Sequence, residues 1–220
     1  MKKLTLVLML IAFVGLFSAC EEIRKESIKE EVGCDLIPMV QIDGHLYQDT
    51  GFVNSAVTCG TADGEIKTSV SQQEKPMQDD ESNFGTGFEY QLMDKIHVNV
   101  FLKDRWIIFK SIAVSNDEIP ESVANFKAEV IDSEDSTLLL RITEVPDLFK
   151  YLFKDKDLDQ FKPIRVGTDN LVIYSHQDVK KDELVGKLVQ VWFDGQVENA
   201  DAKSSSPMEL GDVYRISLVD

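Results

Sequence analysis

Residues Leu36 to Asp49 read LIPMVQIDGHLYQD. Apolar residues alternate with polar ones on both sides of Asp43-Gly44, a dipeptide that favours a two-residue hairpin because both positions tolerate positive φ. The stretch therefore predicts two antiparallel strands joined by a tight turn. Ile96 to Phe109 (IHVNVFLKDRWIIF) repeats the pattern. Ile96, Val98, Val100 and Leu102 alternate with His97, Asn99 and Phe101, and Lys103-Asp104 turns the chain into Trp106 to Phe109. This is a second hairpin, with one buried face. Between the two, Thr61 to Val70 (TADGEIKTSV) offers another Asp-Gly turn and a strand over Glu65 to Val70. Gln72 to Thr86 is polar, carries Pro76, Asp79-Asp80-Glu81 and Gly85, and reads as a long surface loop. Residues 34–111 thus form a small β module, and the charged, Pro-containing stretch Ser115 to Ser122 marks its boundary.

Residues 122–220 read as a second β module. Strands are expected at Val123 to Asp132, Thr137 to Thr143, Leu188 to Phe193 and Val213 to Val219, with Lys162 to Val166 and Asn170 to Tyr174 as a hairpin-like pair about Gly167-Thr168-Asp169. Pro146 can open a helix, since its missing N–H would be orphaned there anyway, and Leu148, Phe149, Leu152 and Phe153 give that helix an apolar face. Short strands with one inserted helix suggest an OB-like five-stranded barrel, in which closure removes exposed edges. The fold class is mainly β.

The chain has 220 residues, with 23 Lys+Arg against 39 Asp+Glu, a formal net charge of −16 and 43% hydrophobic residues. That is long enough for a sizeable core and too apolar for a disordered acidic tail. Phosphate binding needs clustered Lys and Arg, and no basic stripe is present, so nucleic acid is excluded as a partner.

Met1-Lys2-Lys3 is basic, and Leu4 to Phe17 is apolar apart from Thr5 and Gly15. About 20 residues are needed to span a bilayer, so this stretch fits a secretory signal better than a transmembrane helix. It ends in Leu16-Phe17-Ser18-Ala19-Cys20. Small residues followed by a cysteine resemble the lipobox of bacterial lipoproteins, with Phe17 where that pattern prefers a smaller aliphatic residue. The resemblance implies that residues 1–19 are a signal peptide and that Cys20 carries the lipid. A mature chain without Lys2 and Lys3 keeps 21 basic against 39 acidic residues, a net charge of −18. An anionic leaflet repels such a body, so acyl chains on Cys20 would have to hold it at the bilayer. Residues 20–33, rich in Glu and Lys, read as a solvated tether. Cys34 and Cys59 remain as a candidate disulfide, permitted by export and closing a loop of 25 residues, or as two separate thiols.

Ala128 to Asp132 (AEVID), Ile142 to Phe149 (ITEVPDLF) and Gly186 to Gly195 (GKLVQVWFDG) resemble the family of exported Firmicute proteins called domain of unknown function 3221. Val197 to Asp212 departs from that family's pattern. Ile37 to Gly51, Cys59 to Gly64 and Ser82 to Gly87 (SNFGTG) resemble a recurrent, uncharacterised Firmicute segment. Neither resemblance implies an activity, a cofactor or catalytic residues.

Candidate sites are weak in the sequence. Asp155, Asp157 and Asp159 occupy the first, third and fifth positions of an EF-hand-like loop, but Gln160 stands where Gly is needed and Val166 where a bidentate Glu belongs. They suggest at most a weak calcium site. His45, His97 and His176 lack metal-binding spacing and read as surface residues. Gly85-Thr86-Gly87 has no phosphate-binding Lys, and there is no G-x-S-x-G elbow. No cofactor is expected. Asn83, Phe84, Gly85, Thr86 and Gly87 form the candidate binding loop, because loops on a rigid β scaffold carry function most freely. The expected function is a lipid-anchored, non-catalytic module that binds a protein or envelope ligand. An exported enzyme using Cys59 or carboxylates is the alternative.

Overall fold

The computed structural model describes residues 34–56, 60–134, 136–154, 161–168, 173–174, 181–199 and 206–219. Residues 36–220 belong to one compact unit. Among the described residues it is mainly β, with two eight-stranded sheets, one of them curled into a half-barrel.

The first sheet contains β1 (Met39–Ile42), β2 (His45–Val53), β3 (Gly64–Glu65), β4 (Thr68–Ser69), β5 (Glu81–Ser82), β6 (Glu89–Leu92), β7 (His97–Leu102) and β8 (Arg105–Ser111). Its order is β3-β6-β7-β8-β2-β1-β5-β4. Both expected hairpins are present. Ile42 pairs with His45 across Asp43 (φ 48°) and Gly44 (φ 74°), and Leu102 pairs with Arg105 across Lys103 (φ 51°) and Asp104 (φ 63°). Two consecutive positive φ values match the twist of the flanking strands. Val40, Ile42, Tyr47, Ile66, Tyr90, Val98, Val100 and Phe109 form the core on one face.

Four expectations for this half need correction. Asp63-Gly64 is not a hairpin turn, because Gly64 lies in β3 and pairs with Tyr90. A Cβ at Gly64 would stand 2.3 Å from the Tyr90 ring, so glycine is required there by close packing. The expected strand Glu65 to Val70 is split: β3 joins β6, β4 joins β5, and fully buried Ile66 lies between them. Gln72 to Thr86 is not a loop throughout, since β5 lies within it and Glu81, Ser82 and Asn83 are buried. Finally, the β7–β8 hairpin is buried on both faces. Asn99 and Ile108 pair across it on the side away from Val98 and Val100, and both are inaccessible.

The second sheet contains β9 (Asn125–Glu134), β10 (Thr137–Glu144), β11 (Ile164–Gly167), β12 (Ile173–Tyr174), β13 (Leu188–Phe193), β14 (Val197–Glu198), β15 (Met208–Leu210) and β16 (Val213–Leu218). Its order is β12-β16-β13-β9-β10-β11-β15-β14. The alternation of β9 and β13 shows in their burial: Phe126, Ala128, Val130, Val189, Val191 and Phe193 all point into the core. Short strands β14 and β15 lie within Val197 to Asp212, where no strand was expected, and the expected pairing of Lys162 to Val166 with Asn170 to Tyr174 is replaced: β11 pairs with β10 and β15, and β12 with β16. The expected helix is a 3₁₀ segment, Asp147–Phe153, opened by Pro146 as anticipated. Its tighter winding buries Phe149 and Phe153 but leaves Leu148 46% exposed, so Leu148 is not part of the inward face.

The two sheets meet through specific polar contacts. Arg105 Nη2 donates to the Asp194 carboxylate at 2.9 Å and to the Asp194 carbonyl at 2.8 Å. Val53 N–H donates to Tyr214 Oη at 3.2 Å. Burial pushes the Tyr214 hydroxyl up to about 12. Gly195 (φ 82°) approaches Ser55 so closely that a Cβ would stand 2.5 Å from Ser55 Oγ.

Candidate functional site

The SNFGTG run is placed by β5. Asn83, 2% exposed, accepts from Met39 N–H at 2.7 Å through Oδ1 and donates to the Ile37 carbonyl through Nδ2. Ser82 Oγ accepts from the N–H groups of Phe84 and Gly85 and donates to the Gly85 carbonyl. The Phe84 ring packs on Phe88 and Phe109, each with centroids 5.6 Å apart. Thr86 and Gly87 are exposed. The first half of the run therefore ties the loop to β1, and only its last residues face solvent. Replacing Asn83 by Ala strands the buried Met39 N–H, and we expect a loss of about 2 kcal/mol. It would be read as a lower urea midpoint at unchanged m-value.

The neighbouring carboxylates turn to separate partners. Asp79 accepts from Gly44 N–H, and the buried Glu81 accepts from Met77 N–H and Gln78 N–H. Asp80 accepts from Lys67 Nζ at 2.6 Å and from Tyr90 Oη at 2.8 Å. The Lys67 hydrogen bond holds the Asp80 carboxyl below its ordinary range, and burial together with Asp80 pushes the Tyr90 hydroxyl up. Among the described residues no group of three or more His, Cys, Asp or Glu side chains could hold a metal ion. Cys20, Cys59, His176, Asp155, Asp157 and Asp159 lie outside the described residues, so the lipidation, disulfide and calcium expectations fall there. Cys34 is exposed. His45 is also exposed, as expected. Trp106 packs on Phe101 with centroids 5.1 Å apart, and Arg215 lies 5.9 Å above the Trp192 ring.

The structure assembles one constellation that the sequence did not group. A cleft of about 460 Å³ is walled by the β6–β7 turn, by residues 116–122 and by Leu148 of the 3₁₀ segment. In the turn, Asp94 Oδ1 accepts from the N–H groups of Ile96 at 2.6 Å and His97 at 2.7 Å. Asp94 Oδ2 lies 3.1 Å from His97 Nδ1. Burial raises the Asp94 carboxyl, but these hydrogen bonds outweigh it and leave the group more acidic than an ordinary aspartate. An ionised carboxylate only accepts, so His97 Nδ1 carries the proton in this contact. On the opposite wall, Glu118 accepts from Asn116 Nδ2 at 3.0 Å. Ser122, 9% exposed, also lines the cleft, and its buried Oγ has no hydrogen-bond partner. Its carbonyl receives Ser55 N–H at 2.8 Å, which fixes this end of the wall against the first sheet.

Local sequence explains each part. Asp94 caps the turn because its short carboxylate reaches N–H groups two and three residues on. Pro120 blocks strand formation in 116–122, and Val123 N–H closes a turn back onto its carbonyl at 3.0 Å. The only local clue to the cleft was the Asp94–His97 spacing. No protein-family profile, curated protein or solved structure matches this chain.

Proposed function

We propose that this chain is an extracytoplasmic lipoprotein, held at the membrane by acyl chains on Cys20, that binds a protein or envelope ligand without transforming it. The observation that carries the reading is the apolar run Leu4 to Phe17 followed by Ser18-Ala19-Cys20. The resemblance of the second half to exported Firmicute proteins agrees with it. So does the use of side chains: Asp80, Glu81, Asn83 and Asp194 all spend their polar atoms on holding strands and loops together.

The same reading takes residues 122–220 as an OB-like barrel. The long strands keep the order β16-β13-β9-β10-β11. β11 pairs with β10, while β12, only six residues further along the chain, pairs in parallel with β16 at the other end of that order. Strands near each other in the chain thus lie at opposite ends of this five-strand order, which agrees with a sheet curled toward closure.

Metabolic labelling with palmitate tests the anchor. The full-length chain incorporates label and is processed in a globomycin-sensitive step, and Cys20→Ser loses both. Label retained in Cys20→Ser overturns the proposal.

A further inference from the structure

We infer that residues 63–70 form a strap that closes the seam of the first sheet and opens as one unit, baring the chain around the SNFGTG run while the other strands stay paired. The inference goes beyond the binding reading above and is independent of the lipid anchor. Its basis is the topology. β3 and β4 stand at opposite ends of the sheet order, yet only Ile66 and Lys67 separate them in the chain. Three residue steps, from Glu65 to Thr68, span at most about 11 Å, so both edges of the sheet come within that reach. The hydrogen bonds change sides between neighbouring residues. Asp63 N–H donates to the Tyr90 carbonyl, Ile66 N–H donates to the Phe88 carbonyl, and the Ile66 carbonyl accepts from Gly87 N–H. From Lys67 onward the donors turn to the other edge: the N–H groups of Lys67 and Thr68 share the Asp80 carbonyl, and Val70 N–H reaches the Ser82 carbonyl. One short segment therefore holds β6 and the end of the SNFGTG run on one side and β5 on the other.

The strap is fastened thinly and locally. β3 and β4 have two residues each, and Ile66 is the one buried residue between Asp63 and Val70. The β7–β8 ladder, by contrast, runs from His97 to Leu102 with Val98, Val100, Ile108 and Phe109 inaccessible. Segments with few buried apolar contacts and exposed backbone hydrogen bonds open well below the free energy of global unfolding. Two side-chain fastenings meet at the seam. The Asp80 carboxylate accepts from Lys67 Nζ in the strap and from Tyr90 Oη in β6, and so spans it. Gly64 lies against the same Tyr90 ring, too close for a Cβ. Lifting the strap withdraws Ile66 from the core, leaves the facing edges of β5 and β6 unpaired, and takes from Gly87 and Phe88 their backbone partner. Phe84 and Phe88, packed on one another at 5.6 Å and already half-buried, then lie beside an open seam.

Native-state hydrogen exchange of the full chain, isotope-labelled, held in detergent micelles and followed residue by residue at low denaturant, tests the strap. The amides of Ile66, Lys67, Thr68, Val70 and Gly87 should exchange through one shared opening, with a common and weak denaturant dependence. Their protection should be at least a hundredfold lower than that of the amides within β7 and β8. Gly64→Ala wedges the strap off the Tyr90 ring and should speed all five amides at least tenfold. Asp80→Asn, which leaves the core untouched, should speed the same five severalfold. Both variants should leave β7 and β8 as they are. Exchange of the five amides only together with β7 and β8, at the same denaturant dependence, overturns the inference. So does an Asp80→Asn effect confined to Lys67 and Thr68, since it would show that the segment does not move as a unit. Either outcome leaves the palmitate result unaffected.

Discussion

Phe126→Ala should lower the unfolding free energy by about 3–5 kcal/mol, the largest effect expected from a single apolar substitution in this chain. Phe126 on β9 is fully buried, and its ring meets Phe153 at 5.9 Å and Phe193 at 5.8 Å, both edge-to-face. Phe153 also meets Phe161 at 5.5 Å, so the ring joins a strand, the 3₁₀ segment and the chain leading into β11. Truncation removes the contacts that hold Asp147–Phe153 against the sheet as well as the transfer energy of the ring. Neighbouring aromatic rings cannot collapse into the space without leaving their rotamers. Chemical denaturation followed by far-ultraviolet circular dichroism would measure the loss. A change under 1 kcal/mol would show that the site refills.

Asp194→Ala should cost about 3 kcal/mol and separate the unfolding of the two sheets. The Asp194 side chain is 3% exposed and faces Arg105, itself 30% exposed. Removing one partner of a buried pair leaves the other charge desolvated, and the penalty exceeds the net worth of the pair. Asp194 Oδ1 also accepts from Gln196 N–H at 3.0 Å, so the turn after β13 loses its brace. The sheets carry one tryptophan each among the described residues, Trp106 in β8 and Trp192 in β13. Fluorescence of Trp106→Phe and Trp192→Phe backgrounds would follow the sheets separately. We expect coincident transitions with Asp194 present and divergent ones in Asp194→Ala. Coincidence in both would show that the remaining contacts, including Tyr214 with Val53, suffice for coupling.

Hairpin signals were legible because they are local. Asp43-Gly44 and Lys103-Asp104 each sit between runs of period two, and both turns formed where those runs break. Gly64 misled because the Asp-Gly dipeptide reports conformational freedom, whereas the position is governed by the Tyr90 ring 26 residues away. Glu81 and Asn83 look solvated by residue type, and only the pairing of β5 with β1 reveals that they are inside. Asn99 hides likewise: alternation assigned it to solvent, but Ile108 and Gln91 beside it are buried too. The cleft was illegible for a related reason. Its walls come from residues 93–97, 116–122 and 148, and no periodicity links segments that far apart.

Strand β16 has a consequence for biosynthesis. It is the last of the eight strands of its sheet in chain order, yet it lies inside the sheet, between β12 and β13. Tyr214 and Arg215 within it also reach back to Val53 and to the Asp117 carbonyl. A chain delivered N-terminus first, from a ribosome or through a membrane pore, therefore holds β12 and β13 without the partner they share until residues 213–218 emerge. The first sheet needs nothing beyond Ser111 for its own ladder and can form early. The second is completed only at the end of delivery, which places the exposure of the β12 and β13 edges to proteases and aggregation in the interval before residues 213–218 pair with them.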